Sequence, residues 1–254
     1  MCDPGSTGRQ TRRIVLFVAI LVCAPLLWGF GLWLQGLPGS YSHYYRVTSQ
    51  LFNIYGGFEL YEQHNGHLPA ATAPDPATGQ LVSWRIDVFE EALRNQGLTE
   101  VSYNREQVWH HSSNLRLQDN VAYYGLFSFS PTTALDGFAT HYKAITGNGT
   151  AFDPERRWSL RELPGDLILV VRMENSETHW MEPGDLRIEE LLTCEDPCKN
   201  LTGPLGYAVL FADGARWVLS PRVPFAELRK FFTIEDAERN DRDKLLAPYR
   251  ICPR

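Results

Sequence analysis

Gly206-Tyr-Ala-Val-Leu-Phe-Ala-Asp-Gly-Ala-Arg-Trp-Val-Leu219 decides how most of this chain is read. Two β-prone runs, Gly206 to Phe211 and Ala215 to Leu219, flank Asp213-Gly214. An Asp-Gly pair between such runs is a hairpin signal, because a type I′ turn needs positive φ at both central positions. The spacing therefore predicts an antiparallel pair with a two-residue turn. Working backwards, Thr140 to Ile145 and Leu167 to Met173 are further strand candidates, and Leu81 to Arg85 reads as extended.

Helical spacing enters further toward the N-terminus. Tyr44, Val47, Leu51, Ile54, Phe58 and Tyr61 recur at steps of three and four, which puts them on one face of a helix starting near Ser42 and ending at Asn65-Gly66. Gly56-Gly57 weakens it, and the pattern is too short for a coiled coil. Val88, Phe89, Ala92 and Leu93 predict a second helix, Ile86 to Gln96, stopped by Gly97. A short helix is expected around Glu106 to Asn114, followed by extended Val121 to Phe127. Asp185 is placed as the cap of a helix running through Leu192. Pro224 suits the first turn of a helix carrying Phe225, Leu228, Phe231 and Phe232. The reading is α+β: helices on a mostly antiparallel sheet.

At the N-terminus, Ile14 to Leu34 carries no charge over 21 residues. At about 1.5 Å per residue it matches a hydrocarbon core roughly 30 Å thick. Arg9, Arg12 and Arg13 precede it and no basic residue follows before Arg46, so residues 1–13 are expected in the cytoplasm. A cleaved signal peptide would have a shorter apolar core and a small-residue cleavage site. The expected order is a cytoplasmic stretch 1–13, a transmembrane helix 14–34 that makes the lipid bilayer a partner, a linker 35–41, an exported domain 42–233 and a charged, solvated tail 234–254. That makes a single-pass protein with its main domain periplasmic or extracellular.

The formal net charge is −6, which argues against a nucleic-acid partner. Of five cysteines, Cys194, Cys198 and Cys252 would meet an oxidising compartment. A disulfide within the 194–198 loop or to Cys252 is conceivable; the spacing is not that of a zinc knuckle or a redox CxxC.

No constellation in the sequence compels chemistry. His64 with His67 and His110 with His111 could start a metal site, but zinc needs three or four convergent ligands, so no metal is assigned. Glu59 with Glu62, Glu90 with Glu91, and Glu189 with Glu190 are commonplace helix-surface pairs. Ser128-Phe-Ser130 is not a nucleophile elbow, and there is no P-loop or GxGxxG. The 147–150 stretch, Gly-Asn-Gly-Thr, reads as a turn. Asp213 is explained by the hairpin rather than by calcium. No catalytic residue and no cofactor are expected.

Several segments together resemble a planctomycete-type pilin-like family of unknown function, related to prepilin-type proteins and type II secretion pseudopilins. They are Asn65-Gly-His-Leu-Pro69, Leu81-Val-Ser-Trp-Arg85, Trp109 with Asn114, Gly147-Asn-Gly-Thr-Ala-Phe152 and Ile168-Leu-Val-Val171. His179-Trp-Met-Glu-Pro183 with Asp185-Leu186, Leu210-Phe-Ala-Asp-Gly214 and Leu219-Ser220 complete the series. The resemblance implies a pilin-like layout, with the first half of an N-terminal helix in the membrane and the second half supporting an antiparallel sheet. This chain departs from the family pattern where assembly is decided. Its apolar run opens Arg12-Arg13-Ile14, without the Gly-Phe cleavage junction or the glutamate of the mature N-terminus. A carboxylate unpaired in lipid is costly, so losing both together is self-consistent and points to a permanent tether.

The expectation is a non-enzymatic, membrane-anchored accessory or scaffold component of an exported or secretion-related assembly, with protein partners in the envelope and homo-oligomerisation left open. The alternative is a tethered binding module for a glycan, peptide or calcium, using Trp84, Trp109 and Trp180.

Overall fold

The computed structural model describes residues 39–74, 79–98, 102–119, 138–173, 176, 178–193 and 206–251, with side chains described from His43 onward except at positions 73, 74, 118 and 119. Contacts divide the chain into two compact units, Met1–His43 and Tyr44–Arg254. The expected membrane segment Ile14 to Leu34, the extended stretch Val121 to Phe127, Ser128, Ser130 and all five cysteines lie outside the described residues. Among the described residues, no helix is long and apolar enough to cross a membrane.

The amphipathic helix is α1, Gly39–Asn65. Val47, Leu51, Ile54 and Phe58 are at most 2 % exposed, as their spacing predicts. Gly57, which weakens the helix by propensity, is needed for packing: a Cβ there would lie 2.3 Å from Cγ1 of Val88. It lets α1 approach α2, Trp84–Asn95. Before α2 comes a two-stranded antiparallel ribbon, β1 (Thr72–Pro74) and β2 (Leu81–Ser83). Ser83 caps α2 by accepting from Arg85 N, and Gly97, at φ +75°, ends it in the left-handed region that glycine tolerates. The short helix expected at Glu106 to Asn114 forms later, as α3, Ser112–Leu115, capped by the His111 side chain.

The main sheet is α+β in character and mixed. Its strands are β3 (Tyr142–Thr146), β4 (Ile168–Arg172), β5 (Leu186–Arg187), β6 (Tyr207–Phe211) and β7 (Arg216–Leu219). Their order is β5-β3-β4-β6-β7, antiparallel throughout except for the parallel β3–β5 pair. A register shift on β4, with Ile168 opposite Phe211 but Val170 opposite Leu210, marks a bulge. It accounts for Leu169 and Val170 both joining the α1 side, while Ile168 and Val171 join the other.

Both faces of this sheet are covered. Tyr142, Ala144, Ala208, Leu210 and Val218 pack with α1 and α2, and Tyr142 OH bridges to Gln50 Oε1 at 2.9 Å. Ile145, Val209, Phe211, Trp217 and Leu219 pack instead with α4 (Ile188–Thr193), α5 (Phe225–Leu228) and the 3₁₀ turn after it. Burial on both faces is why these strands read as unbroken apolar runs.

Several sequence expectations need correction. Leu81 to Arg85, read as extended, is strand only to Ser83, because Ser83 caps a helix that Trp84 and Arg85 open. The hairpin loop has three residues: Gly214 N donates to Phe211 O, Phe211 N donates to Ala215 O, and Gly214 has φ +82°. That is a turn closed by one left-handed residue rather than type I′. Residues 234–251, read as a solvated tail, are built into the fold as α6 (Ile234–Arg239), α7 (Arg242–Leu245) and a final 3₁₀ turn. Ala237 and Leu246 are buried, Ser220 N donates to Tyr249 O and Ile251 N to Val218 O. The tail thereby covers the outer edge of β7, which would otherwise expose unpaired backbone groups.

Candidate functional site

Arg85 lies in the first turn of α2, on the stripe continued by Val88, Phe89 and Ala92, so the helix that buries those residues buries a guanidinium as well. Its side chain is 0 % exposed. A buried charge must be paired and its hydrogen-bonding groups satisfied. Here Nη2 donates to Asp185 Oδ1 at 2.7 Å, Nη2 and Nε to Tyr142 O at 3.0 and 3.2 Å, and Nη1 to Ser83 Oγ at 2.8 Å. Longer bonds reach Gly184 O and Glu182 O. Burial lowers the pKa of Arg85, and Asp185 acts against that shift.

Asp185 is thus no helix cap. The helix after it starts at Ile188, and its carboxylate turns inward, where Oδ1 also accepts from Ala144 N at 2.8 Å and Trp84 Nε1 at 3.1 Å. One oxygen therefore ties α2, β3 and the 178–185 loop together. Lys143 adds a second cation, with Nζ donating to Thr178 Oγ1 and to Gly184 O at 2.6 Å. Burial first, then the neighbouring Arg85, pulls its pKa down to about 8.

Oδ2 of Asp185 is buried without a hydrogen-bond partner among the described residues. An orphaned buried acceptor costs about 1–3 kcal/mol, and it lies on a residue that lines a groove of about 690 Å³. Residues 70–72, 146–148 and 152–154 line it too, with Arg157, Gly184, Arg187 and Glu189. This volume falls within the roughly 300–1,000 Å³ of small-ligand clefts.

A second groove, of about 820 Å³, runs past Tyr55, Glu59, Glu62 and Asp213. Three of its polar groups are engaged: Glu62 Oε1 accepts from Leu160 N, Tyr55 OH donates to Ala212 O, and Asp213 is held by Arg242.

The residues weighed in the sequence are dispersed. His64 Nδ1 pairs with Glu91 Oε2 at 2.8 Å, His67 bonds to Leu68 O, His110 packs on Trp109 and His111 caps α3. Among the described residues no three His, Cys, Asp or Glu side chains gather as metal ligands. Glu90 accepts from Tyr103 N and pairs with Arg105, while Glu189 and Glu190 lie near Arg187. In the 147–150 turn, Thr150 Oγ1 donates to Gly147 O, and Gly149 N to Asp153 Oδ2. Trp84 and Trp180 are core residues; Trp109 is half-buried and stacks on His179 at 4.8 Å.

Asn114 is fully buried and organises the loop before it. It accepts from Asn104 N at 2.7 Å and donates to the carbonyls of Asn104, Gln107 and Val108. The Arg85–Asp185 lock went unread in the sequence, although Arg85 on an apolar stripe was a usable signal. Compared with known protein families, curated proteins and solved structures, the chain matches none.

Proposed function

We propose that this is a membrane-anchored, non-enzymatic, pilin-like scaffold or accessory component of an exported, secretion-related assembly. In this reading Ile14 to Leu34 is a permanent tether, the N-terminus is cytoplasmic, and the 42–251 region faces partners in the envelope.

What supports the reading is where the polar residues of the motif segments go. Arg85, Asn114, Asp185 and Asp213 spend their hydrogen bonds on backbone groups and on other loops. They stiffen a body in which a helix, through its buried stripe Val47, Leu51, Ile54 and Phe58, packs along one face of a largely antiparallel sheet. A pilin-like layout has that arrangement, and a stiff, loop-locked body is what a scaffold requires.

Crosslinking of the full chain in intact membranes, with sequencing of its N-terminus, tests this. The expected result is a chain that resists alkaline extraction, begins at Met1 and crosslinks to envelope proteins or to itself. A strictly monomeric chain without any such neighbour overturns the scaffold role.

A further inference from the structure

We propose that two copies of this chain pair through the outward face of α1, with the two helices antiparallel. This stands apart from the scaffold reading, since such a pair needs neither an envelope partner nor a membrane.

The face lies opposite the stripe that packs on the sheet. Tyr45, Ser49, Phe52 and Gly56 each precede a member of the buried set Val47, Leu51, Ile54 and Phe58 by two positions, which is about 200° around a helix. Their steps of four, three and four residues make a seam that a second helix can follow along its length. Phe52 is 57 % exposed and Tyr45 49 %, and Ser49 between them is exposed too. The Arg216 guanidinium lies 4.8 Å from the centre of the Phe52 ring, which steadies the ring and leaves most of it open to solvent.

Gly56 is the second observation. Its neighbour Gly57 is forced by Val88, but a Cβ on Gly56 would meet nothing within 4 Å. It also has an ordinary helical φ. Glycine inside a helix weakens it relative to alanine, and among the described residues nothing requires it here. Close approach by a helix from outside does.

Size along the seam then fixes both the occupant and its direction. Tyr45, Ser49, Phe52 and Gly56 read large, small, large, small. A second copy running the other way sets its Gly56 against Tyr45 and its Phe52 against Ser49, so each ring meets a gap. The pattern complements itself, as a two-fold interface requires. A parallel pair would set ring on ring and gap on gap. Charge agrees with size. Between Gly39 and Phe58 the helix has no acidic residue and carries Arg46, while Glu59 and Glu62 follow. Antiparallel pairing brings the Arg46 end of one helix beside the Glu59 end of the other, and parallel pairing would put like charges together.

Analytical ultracentrifugation of the full chain in detergent, over a concentration series, should show a monomer–dimer equilibrium. Phe52→Glu should raise the dissociation constant at least about tenfold and leave the melting temperature nearly unchanged. Gly56→Leu should weaken pairing to a similar extent, yet raise the melting temperature of the dilute monomer, because leucine favours helix over glycine. A purely internal role for Gly56 would not move the two readouts in opposite directions. Direction is read by mixing Tyr45→Cys copies with Gly56→Cys copies under mild oxidation and identifying the linked peptides by mass spectrometry. A link between positions 45 and 56 is expected in the mixture, and none between two positions 45. A chain that stays monomeric throughout, pairing unchanged by either Phe52→Glu or Gly56→Leu, or absence of the 45-to-56 link would each overturn the proposal.

Discussion

Two arginine–aspartate junctions join distant parts of this molecule, and they work in opposite solvent regimes. Arg85 and Asp185 are 0 % and 2 % exposed, beneath α2 and the 178–185 loop. Arg242, at the start of α7 and 12 % exposed, reaches Asp213 in the β6–β7 loop and Asp166 before β4, whose side chains are 38 % and 29 % exposed and keep contact with water. Its guanidinium also lies 4.7 Å from the Phe211 ring centre. Both clamp loops to the sheet, but the inner one cannot borrow water when a partner is lost. The outer one can. Geometry alone makes the pairs look alike; burial separates them by several-fold in consequence.

The largest expected effect is therefore at the inner junction. Asp185→Ala leaves Arg85 charged and unpaired in the interior, which costs about 3–5 kcal/mol, a large part of the ~5–15 kcal/mol that holds a typical domain folded. Urea unfolding followed by tryptophan fluorescence should show the midpoint collapse. Replacing both residues, Arg85→Met with Asp185→Leu, removes the stranded charge and should recover part of the loss. Recovery stays incomplete because the Tyr142, Glu182 and Gly184 carbonyls lose donors. If Asp185→Ala costs no more than removal of Arg242, the contrast between the junctions fails.

Acid separates the two regions next. His179, in the same loop as Asp185, stacks on Trp109, and its Nδ1 accepts from Met181 N at 3.2 Å, which requires the neutral ring. Burial pushes its pKa down to about 4, against about 6.5 in an unfolded chain. Between those values the unfolded state binds the extra proton. Stability contributed there is complete above about pH 6.5 and falls as pH drops toward 4, by about 1–2 kcal/mol once solvent screening is allowed for. His179→Phe should flatten that slope. At the outer junction, burial raises the Asp213 carboxyl, but hydrogen bonds from Arg242 and Ala215 N outweigh it and hold the pKa below the ordinary value. Its contribution is present above about pH 3.9 and is lost only as pH falls further, through the folded pKa. A stability profile with a single acid transition below pH 4 would contradict the assignment to His179.

The contrast also explains what could be read in advance. The α1 stripe, the three central strands and the β6–β7 pairing were legible because each is a local pattern of apolar residues. Asp185 was misread because an aspartate three residues before a helical run has the local look of a cap, while its partner Arg85 is 100 positions away. No spacing rule carries that information. The C-terminal segment was misread for a similar reason. Its charges dominate its composition, but Ala237, Leu246 and the backbone of Tyr249 and Ile251 decide its place. Gly57 shows the same limit, since its propensity cost is visible in the sequence and the Val88 methyl it accommodates is not.

The smallest expected effect belongs to the outer junction, and it is the one that salt can probe. Arg242 pairs with two partly exposed carboxylates, donates to Gly165 O at 3.3 Å and covers Phe211 and Trp217 with its guanidinium. Arg242 is itself only 12 % exposed, but its carboxylate partners stay open to water when it is removed, so Arg242→Ala should cost about 1–2 kcal/mol from the ion pairs and cation–π contacts together. The electrostatic share should shrink at 1 M salt, where the screening length is about 3 Å. Arg242→Met keeps much of the cover over the two aromatic rings but drops the charge. It should lose less than Arg242→Ala, and its deficit should be the part that vanishes in salt. The cost of Asp185→Ala, buried beyond the reach of ions, should not change with salt. An Arg242 deficit independent of salt would mean that its packing on Phe211 and Trp217, rather than its carboxylates, fixes the C-terminal segment to the sheet.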